Sequence, residues 1–443
     1  MTGILGIYMF DEKWKVARFG VYGLLALQHR GQETAGLTVL GKSFQSIRGK
    51  GLVDEVFPES KIKEVTGHLC IAEVSPYIPE HNNIWPIHIG DEREIAMVLD
   101  GKINAIDGKR VNRENYDSSL KKILSEKLGK IKDPVEFAKF IITNCEGGFA
   151  FILLSKDGVM VAGRDPKGVK PLSLGKIGFE GGIVASETCV MDVIGERTPL
   201  SPAENIEPGE LRIFTSLSAH SVCVTRCNKR EYCSFEYVYL ARPDSYINDI
   251  PIYKVRKRIG ELLAEERSLD ADIVVGVPET AIPFAMAYSN KTGIPVEKGF
   301  EQTGRRVRSA IKPTQLERLI GVQLKLNVIS EAIRGKRVIL IDDSVVRGNT
   351  LSNIVYLMKE KGAQEVHVLI GSPAIVSGCP YGVEVPPKDE LIGRHLSEEK
   401  IAEVIGADSF HYLTIESFLE AIGLKEDELC LRCFGLTGGE DEL

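Results

Sequence analysis

The sequence predicts an α+β amino-terminal domain followed by an α/β domain with a parallel sheet. Up to about residue 230, short apolar runs are separated by glycine-containing turns, as around Gly147 to Leu154, and this pattern is typical of buried strands. From about residue 252, an amphipathic helical pattern (Val255 to Glu266) precedes a β-branched run (Ala271 to Val277). Helix and strand then alternate, which indicates a parallel sheet.

The change of pattern places a domain boundary near residue 230. The stretch from Tyr232 to Pro251 contains two prolines and little periodicity, so we interpret it as a linker. We therefore expect one domain at 1–230, a second at 231–405 and a separate carboxyl-terminal segment at 406–443. The sequence contains no internal repeat, which excludes a solenoid.

Composition excludes several classes of partner. The chain has 443 residues and a net charge of -7, so it lacks the basic excess that binds nucleic acid. It contains neither a charged leader sequence nor an apolar run of the roughly 20 residues that a membrane span needs. We expect a cytoplasmic protein without nucleic-acid or membrane partners. The nine cysteines are an odd number, which argues against a secreted disulfide framework and favours thiols kept for chemistry or metals.

The sharpest local motif is a strand that runs through a polar loop into a helix. The apolar run from Val338 to Ile341 precedes the loop, and apolar residues recur at helical spacing from Leu351 to Met358. Backbone N–H groups at such a helix start converge on a point where the helix dipole favours an anion, such as a phosphate. Gly348 permits a backbone shape that other residues resist, and Ser344 and Thr350 add hydroxyl donors.

Two adjacent acids, Asp342 and Asp343, end the strand of this motif. Ligands of open α/β sheets bind at the carboxyl ends of strands, where carboxylates can accept from sugar hydroxyls or hold hydrated Mg²⁺. The alternative is a simple turn between buried elements, with the acids acting as helix caps.

Several ordered motifs resemble those of the glutamine phosphoribosylpyrophosphate (PRPP) amidotransferases. The string from Val338 to Thr350 resembles the PRPP signature of type I phosphoribosyltransferases. The segments that resemble the amidotransferases themselves are Leu27–Gly36, Arg164–Leu172, Ser186–Thr188 and Phe235–Ser245. The resemblance covers nearly the whole chain. It implies an Ntn-hydrolase-like amino-terminal glutaminase domain (glutamine amidotransferase type 2), a type I phosphoribosyltransferase domain and a homo-oligomer.

The resemblance also implies roles for residues of the second domain. Asp342 and Asp343 would hold the ribose hydroxyls and Mg²⁺, and Thr280, in a segment similar to the family's pyrophosphate loop, would hold the metal and pyrophosphate. Arg308, in an altered lid segment, and Lys325 would bind the departing charge. The 5′-phosphate would be bound by the loop residues Ser344, Val345, Val346, Arg347, Gly348, Asn349 and Thr350.

Four cysteines lie where iron-sulfur members of this family place the ligands of a [4Fe-4S] cluster: Cys233, Cys379, Cys430 and Cys433. A Cys-x-x-Cys pair by itself is also compatible with zinc, redox chemistry or simple burial. The resemblance therefore implies a cluster that joins the carboxyl-terminal segment to the linker. We expect the other five cysteines to pack as small apolar residues, and a metal-binding pair is the alternative for Cys223 and Cys227.

The glutaminase motifs depart from the family pattern. Thr2 stands where the family has its cysteine nucleophile, although an amino-terminal threonine can also act as one. The family's Gly-His-Val-Arg segment reads Gly67–Cys70, so the arginine that binds the glutamine carboxylate becomes a thiol, and its Asn-Gly oxyanion hole reads Asp100-Gly101. Asp117 still matches the residue that binds the glutamine amino group. We expect the glutaminase half to be inactive.

The sequence thus favours an amidophosphoribosyltransferase that makes 5-phosphoribosylamine for purine synthesis from PRPP and ammonia, the ammonia being free or supplied by a separate glutaminase. An alternative is a non-catalytic regulator or subunit that binds PRPP or a nucleotide and acts with a paralogous amidotransferase. A working threonine glutaminase and a phosphoribosyltransferase with another acceptor also stay open.

Overall fold

The computed structural model describes residues 2–79, 83–90, 94–196, 203–227, 229–302 and 326–436. Among these residues, no helix is both long and apolar enough to cross a membrane.

Two antiparallel sheets form the centre of the amino-terminal domain. The first has the strand order β12-β10-β11-β1-β4-β2-β3, and the second has the order β14-β13-β9-β8-β6-β5 with β7 paired to β6. The strands are β1 (Gly3–Met9), β2 (Thr34–Leu40), β3 (Phe44–Lys50), β4 (Leu69–Ser75), β5 (Ile87–Ile89), β6 (Ile95–Ile106), β7 (Lys109–Arg110), β8 (Cys145–Ser155), β9 (Met160–Arg164), β10 (Ser173–Ile177), β11 (Gly181–Ala185), β12 (Glu204–Asn205), β13 (Glu210–Phe214) and β14 (Ala219–Cys223).

Helices cover the outer faces of both sheets. The helices of this domain are α1 (Ala17–Ala26), α2 (Val53–Val56), α3 (Glu59–Glu64), α4 (Tyr116–Ile131), α5 (Pro134–Asn144) and α6 (Cys189–Ile194). In β1, Ile4 packs between the two sheets, whereas Leu5 packs in the core that contains residues of α1 and α6. Successive side chains of a strand point to opposite faces, so both faces of β1 are buried. This burial explains the continuous apolar runs, and the domain is a helix–sheet–sheet–helix sandwich.

A parallel sheet with the order β18-β21-β22-β23 forms the centre of the second domain. Apolar cores cover both of its faces: Ile339 and Ile341 pack on one side, and Val338 and Leu340 on the other. Its strands and helices are α7 (Ile252–Glu266), β18 (Ile273–Gly276), α8 (Ile282–Thr292), α9 (Ser330–Ile333), β21 (Arg337–Asp342), α10 (Asn349–Glu360), β22 (Glu365–Ile370), α11 (Ile392–His395), α12 (Glu398–Ile405), β23 (Ser409–Tyr412) and α13 (Ile415–Ile422). The α+β domain and the parallel α/β domain predicted from the sequence are confirmed.

Short elements join the two domains and the carboxyl-terminal segment. Strand β15 (Tyr232–Cys233) pairs in parallel with β24 (Leu429–Cys430), so the end of the chain returns to the linker. The remaining pairs are β16 (Tyr246–Ile247) with β17 (Ile250–Pro251), and β19 (Phe300–Gln302) with β20 (Leu326–Val328).

The predicted linker is irregular but packed. It contains a π-helical turn, Glu236–Leu240, in which Tyr237 and Val238 are fully buried. The parallel sheet extends past residue 405, because β23 pairs with β22. The boundaries at 230 and 405 themselves stay predictions.

Candidate functional site

The phosphate-loop motif has the local structure that the sequence predicts. Strand β21 ends at Asp342, and helix α10 begins at Asn349. Gly348 caps the helix with a φ of 76°, in the left-handed region. Residues with a side chain rarely adopt this φ, so the loop needs glycine there. The N–H groups of the first turn of α10 therefore face the space beyond the carboxyl end of the sheet.

The loop residues divide into buried and exposed groups. Val345 and Val346 pack against the cores on the two sides of the sheet, so their side chains anchor the loop and only their backbone can contact a phosphate. Arg347, Asn349 and Thr350 are exposed. The Arg347 guanidinium donates to Glu390, so this cation is held by a carboxylate.

The surroundings of Asp342 and Asp343 disfavour the ionised form of both carboxyl groups. Burial, and then the neighbouring carboxylate, raises the pKa of Asp342 well above its usual range. Burial also raises the pKa of Asp343, to about 6, although hydrogen bonds from Ser344 and Thr280 oppose the shift. The Ser344 hydroxyl donates to Oδ1 of Asp343 at 2.7 Å. A half-buried and a buried carboxylate side by side, both with raised pKa values, favour a bound cation.

Thr280 joins the acid pair from a second strand. It follows β18, and its hydroxyl donates to Asp343, so the structure brings the predicted pyrophosphate loop to the end of β21. Two carboxylates and a hydroxyl form a hard oxygen donor set, which fits Mg²⁺. Arg308 and Lys325 lie outside the described residues.

A buried arginine that the sequence did not indicate connects the linker to this site. Arg256 of α7 is 1% exposed and donates to the backbone oxygens of Tyr237 (3.2 Å) and Ala241 (2.6 Å). Burial lowers the pKa of Arg256 to about 10, and the charge of Asp343 opposes that shift. The guanidinium therefore fixes the linker backbone and also lies within electrostatic range of the acid pair.

In the amino-terminal domain, Thr2 is buried beside Asp100. The backbone N–H of Thr2 donates to Oδ1 of Asp100 at 3.1 Å, and Nε of Arg30 donates to the backbone oxygen of Thr2 at 3.0 Å. The Asp100 carboxylate therefore lies beside residue 2, as the sequence predicted.

Arg30 is the centre of a buried ionic network. Besides Asp100, its guanidinium donates to Glu187 at 2.8 Å and to both oxygens of Glu236 at 2.9 and 3.0 Å. Burial alone would raise the pKa of Glu187, but His29 and Arg30 outweigh burial and lower it. The Arg30 guanidinium is thus paired with three carboxylates.

Glu73 is a third acid in this region, together with Asp100 and Asp117. It is 2% exposed, and its Oε2 has no hydrogen-bond partner among the described residues. Burial, and then the charges of Asp117 and Asp100, raises the pKa of Glu73 well above its usual range. Tyr77 hydrogen-bonds the side chain of Thr2, and Trp85 Nε1 donates to Asp117 at 3.0 Å.

Cys70 does not face Thr2. It packs in the core beneath α1, where a methyl group placed on Gly20 would lie 3.3 Å from its sulfur. Burial raises the pKa of its thiol to about 12. Glu73, on the opposite face of β4, is instead the β4 side chain that interacts with the acids near Thr2.

The four cysteines of the predicted cluster converge. They line one small apolar cavity with Val169 and Tyr381, and Cys233 lies directly opposite Cys430 in the β15–β24 pair. Among the described residues, no group of three or more His, Cys, Asp or Glu side chains could hold a single metal ion. A tetrahedral zinc ion needs sulfur atoms about 3.8 Å apart, whereas a four-iron cluster holds its thiolates farther apart. Four thiols around one cavity are the kind of donor set that a [4Fe-4S] cluster uses.

Comparison with known proteins gives full-length matches. The phosphoribosyl transferase domain family matches residues 250–371. The amidophosphoribosyltransferase of Methanothermobacter thermautotrophicus is 37% identical, covering 97% of this chain and 93% of its own. That of Bacillus subtilis is 34% identical, covering 98% and 92%. The chain belongs to the amidophosphoribosyltransferase family.

Two solved structures have the same architecture over nearly the whole chain. One, described as the allosteric regulatory enzyme of purine biosynthesis, has a TM-score of 0.85 at 33% identity and covers 98% of this chain and 95% of its own. The glutamine PRPP amidotransferase from B. subtilis, in complex with ADP and GMP, has a TM-score of 0.82 at 33% identity, with coverage of 98% and 96%. The predicted Ntn-hydrolase-like and phosphoribosyltransferase domains are therefore confirmed as the fold of this family member.

Proposed function

We propose that this amidophosphoribosyltransferase transfers ammonia to C1 of PRPP, giving 5-phosphoribosylamine and pyrophosphate for purine synthesis, and that it does not hydrolyse glutamine. The transferase activity is supported by the hydrogen bond between Thr280 and Asp343 at the end of β21, beside the amino terminus of α10. This arrangement places oxygen donors for a metal next to N–H donors for a phosphate.

The chain contributes positioning and charge to this reaction. The N–H groups at the start of α10 and the hydroxyls of Ser344 and Thr350 would hold the 5′-phosphate, and Asp342 and Asp343 the ribose hydroxyls. These acids and Thr280 would also hold Mg²⁺, which would supply positive charge to neutralise the charge that develops on the pyrophosphate. Ammonia forms the bond to C1, the bond from C1 to the pyrophosphate oxygen breaks with its electron pair, and the nitrogen loses one proton to solvent.

The surroundings of Thr2 support the loss of glutamine hydrolysis. The oxygen of a tetrahedral intermediate needs donors, but Asp100 presents a carboxylate there, and removing even one donor costs about 2.7–4 kcal/mol. The α-carboxylate of glutamine needs a cation, but Arg30 is already bound by three carboxylates. Glu73 adds an acid to the same region.

We further propose that Cys233, Cys379, Cys430 and Cys433 hold a [4Fe-4S] cluster. The support is the shared apolar cavity of the four thiols. Burial raises the pKa of the Cys430 thiol to about 11, so iron binding to this thiol would displace a proton. The cluster would join β24 to the linker strand β15.

The test is pyrophosphate release from PRPP and Mg²⁺ by anaerobically purified protein, with ammonium or glutamine as nitrogen donor. We expect release with ammonium, none above background with glutamine, and a loss of about 100-fold or more in the Asp343→Asn variant. Asp389→Asn, at an exposed acid, is the control that retains activity. Equal release with glutamine would overturn the loss of hydrolysis, and no release with either donor would overturn the enzyme in favour of a regulator.

A further inference from the structure

Lys170 is a buried cation whose ammonium group has no hydrogen-bond partner among the described residues. Its side chain is 0% exposed, and its Nζ makes no hydrogen bond to that part of the chain. The stem is fixed by packing: a methyl group on Gly101 would lie 3.0 Å from both Cγ and Cε of Lys170. Burying an ammonium group without a hydrogen-bond partner costs free energy of folding. We therefore expect an acceptor near Nζ of Lys170.

Titratable groups lie on two sides of Lys170. Burial would lower the pKa of Lys170, but Asp100, Cys233, Cys379 and Glu236 outweigh burial and raise it. On the acidic side, Asp100 already accepts from Thr2 and Arg30, and both oxygens of Glu236 accept from Arg30. On the other side lie two of the four cysteines.

The backbone brings Lys170 to the cysteine cavity. Its neighbour Val169 lines that cavity, and the N–H of Cys233 donates to the backbone oxygen of Val169 at 3.2 Å. Arg164 fixes the same turn, because its Nε donates to the backbone oxygen of Lys170 at 2.5 Å. Lys170 therefore lies between the wall of the cavity, formed in part by Val169, and the Asp100–Gly101 segment of strand β6.

We propose that Lys170 is a further protein contact of the cluster, donating a hydrogen bond to a sulfur atom on the Cys233 and Cys379 side. This inference rests on the proposed cluster. A [4Fe-4S] unit with four thiolates carries a net charge of about -2, and its reduction potential depends on nearby charge and on hydrogen bonds to sulfur. A fixed ammonium stabilises the reduced, more negative cluster more than the oxidised one, so Lys170 raises the potential.

The first test compares full-length Lys170→Met with wild type by redox titration followed by EPR, with iron content measured on each sample. Methionine keeps the length of the stem and removes the charge. We expect full iron content and a more negative midpoint potential in Lys170→Met. The matched control is Lys167→Met on the same turn: Lys167 is 39% exposed and pairs with Glu231 at 3.1 Å, so solvent screens its charge, and its removal should shift the potential much less.

A second measurement uses wild-type protein and does not depend on the variant folding. Protein labelled with ¹⁵N at the lysine ε position, with the cluster reduced, should show hyperfine coupling to one ¹⁵N nucleus in pulsed EPR. A fully loaded wild-type cluster without this coupling, or a loaded Lys170→Met with an unshifted potential, would overturn the role of Lys170 alone. Wild-type protein that binds no four-iron cluster when reconstituted anaerobically would overturn the cluster and this inference together.

Discussion

Nη2 of Arg30 lies 3.1 Å from Oδ2 of Asp100, and both side chains are buried. Through the opposite oxygen, Asp100 accepts from the backbone of Thr2. The acid that replaces the family's oxyanion-hole asparagine is thus tied to residue 2 and to a structural arginine. We therefore expect that a change at one residue of this network does not by itself restore glutamine hydrolysis.

Thr2→Cys should therefore gain no glutaminase activity. The substitution supplies the family's nucleophile but leaves the Asp100 carboxylate beside it and Glu73 nearby. We expect glutamate release from glutamine to equal that of Thr2→Ala, measured by a coupled glutamate assay. Glutamate release by Thr2→Cys clearly above Thr2→Ala would mean that the nucleophile was the only part missing.

Asp100→Asn should lower stability. The amide oxygen can still accept from Thr2, and Arg30 keeps Glu187 and Glu236, but the charged hydrogen bond from Arg30 to Asp100 is lost. We therefore expect the free energy of unfolding to fall by about 1–3 kcal/mol, seen as a lower melting temperature. Glu59→Gln removes the acid of an exposed ion pair (54% exposed) with Arg18 and should change stability by less than about 0.5 kcal/mol. Equal melting temperatures for the two variants would show that Asp100 does not stabilise the network.

Gly348→Ala should weaken PRPP binding beyond its effect on stability. Gly348 and Gly406 both have left-handed backbones, with φ of 76° and 77°, so alanine should cost about 1–2 kcal/mol at either position. Gly406 follows α12, and no atom lies within 4 Å of the position of an added methyl group, which makes Gly406→Ala the matched control. An added methyl group at Gly348 would lie 3.1 Å from Cδ1 of Ile392, so the melting temperature of Gly348→Ala should fall somewhat more than that of Gly406→Ala. We expect a higher Kd for Mg²⁺-PRPP in Gly348→Ala alone, measured by calorimetry. The same Kd in both variants would contradict a phosphate at this loop.

His411 should make stability depend on pH. Burial would lower its pKa, but Glu398 at 3.1 Å and Glu266 at 2.8 Å outweigh burial and raise it. A raised pKa means that the folded protein binds the proton more tightly than the unfolded chain does. The contribution to stability is therefore complete below about pH 6.5 and is lost as pH rises through the folded pKa.

We accordingly expect His411→Gln to reduce the fall in melting temperature between about pH 6 and pH 9. The exposed His395 contacts the backbone oxygen of Lys388 rather than a carboxylate, so His395→Gln should keep the wild-type slope. Identical slopes in wild type and His411→Gln would show that the imidazole does not carry this effect.

The sequence predicted the parts of the fold and site that depend on neighbouring residues. The strand, loop and helix around Gly348 lie in one continuous segment. The spacing of their apolar residues and the position of the glycine were therefore enough to predict them. The ionic network could not be found in this way, because Arg30 meets partners 70, 157 and 206 residues away. Only the folded registers bring those groups together.

Side-chain direction was the other limit. Cys70 and Glu73 lie three residues apart in β4, so they point to opposite faces. The family motif aligns its arginine with Cys70, which faces away from Thr2. The burial of the Lys170 ammonium, which has no hydrogen-bond partner among the described residues, likewise depends on tertiary packing. A lysine inside a motif gives no sign that it will be fully buried.

We propose that the nitrogen reaching PRPP comes from ammonia and not from glutamine. The most direct measurement supplies ¹⁵N-amide glutamine and ¹⁴N-ammonium together with Mg²⁺-PRPP, reduces the product with borohydride and determines its nitrogen isotope by mass spectrometry. Our account predicts product that contains ¹⁴N alone. Product carrying ¹⁵N from the glutamine amide would contradict it.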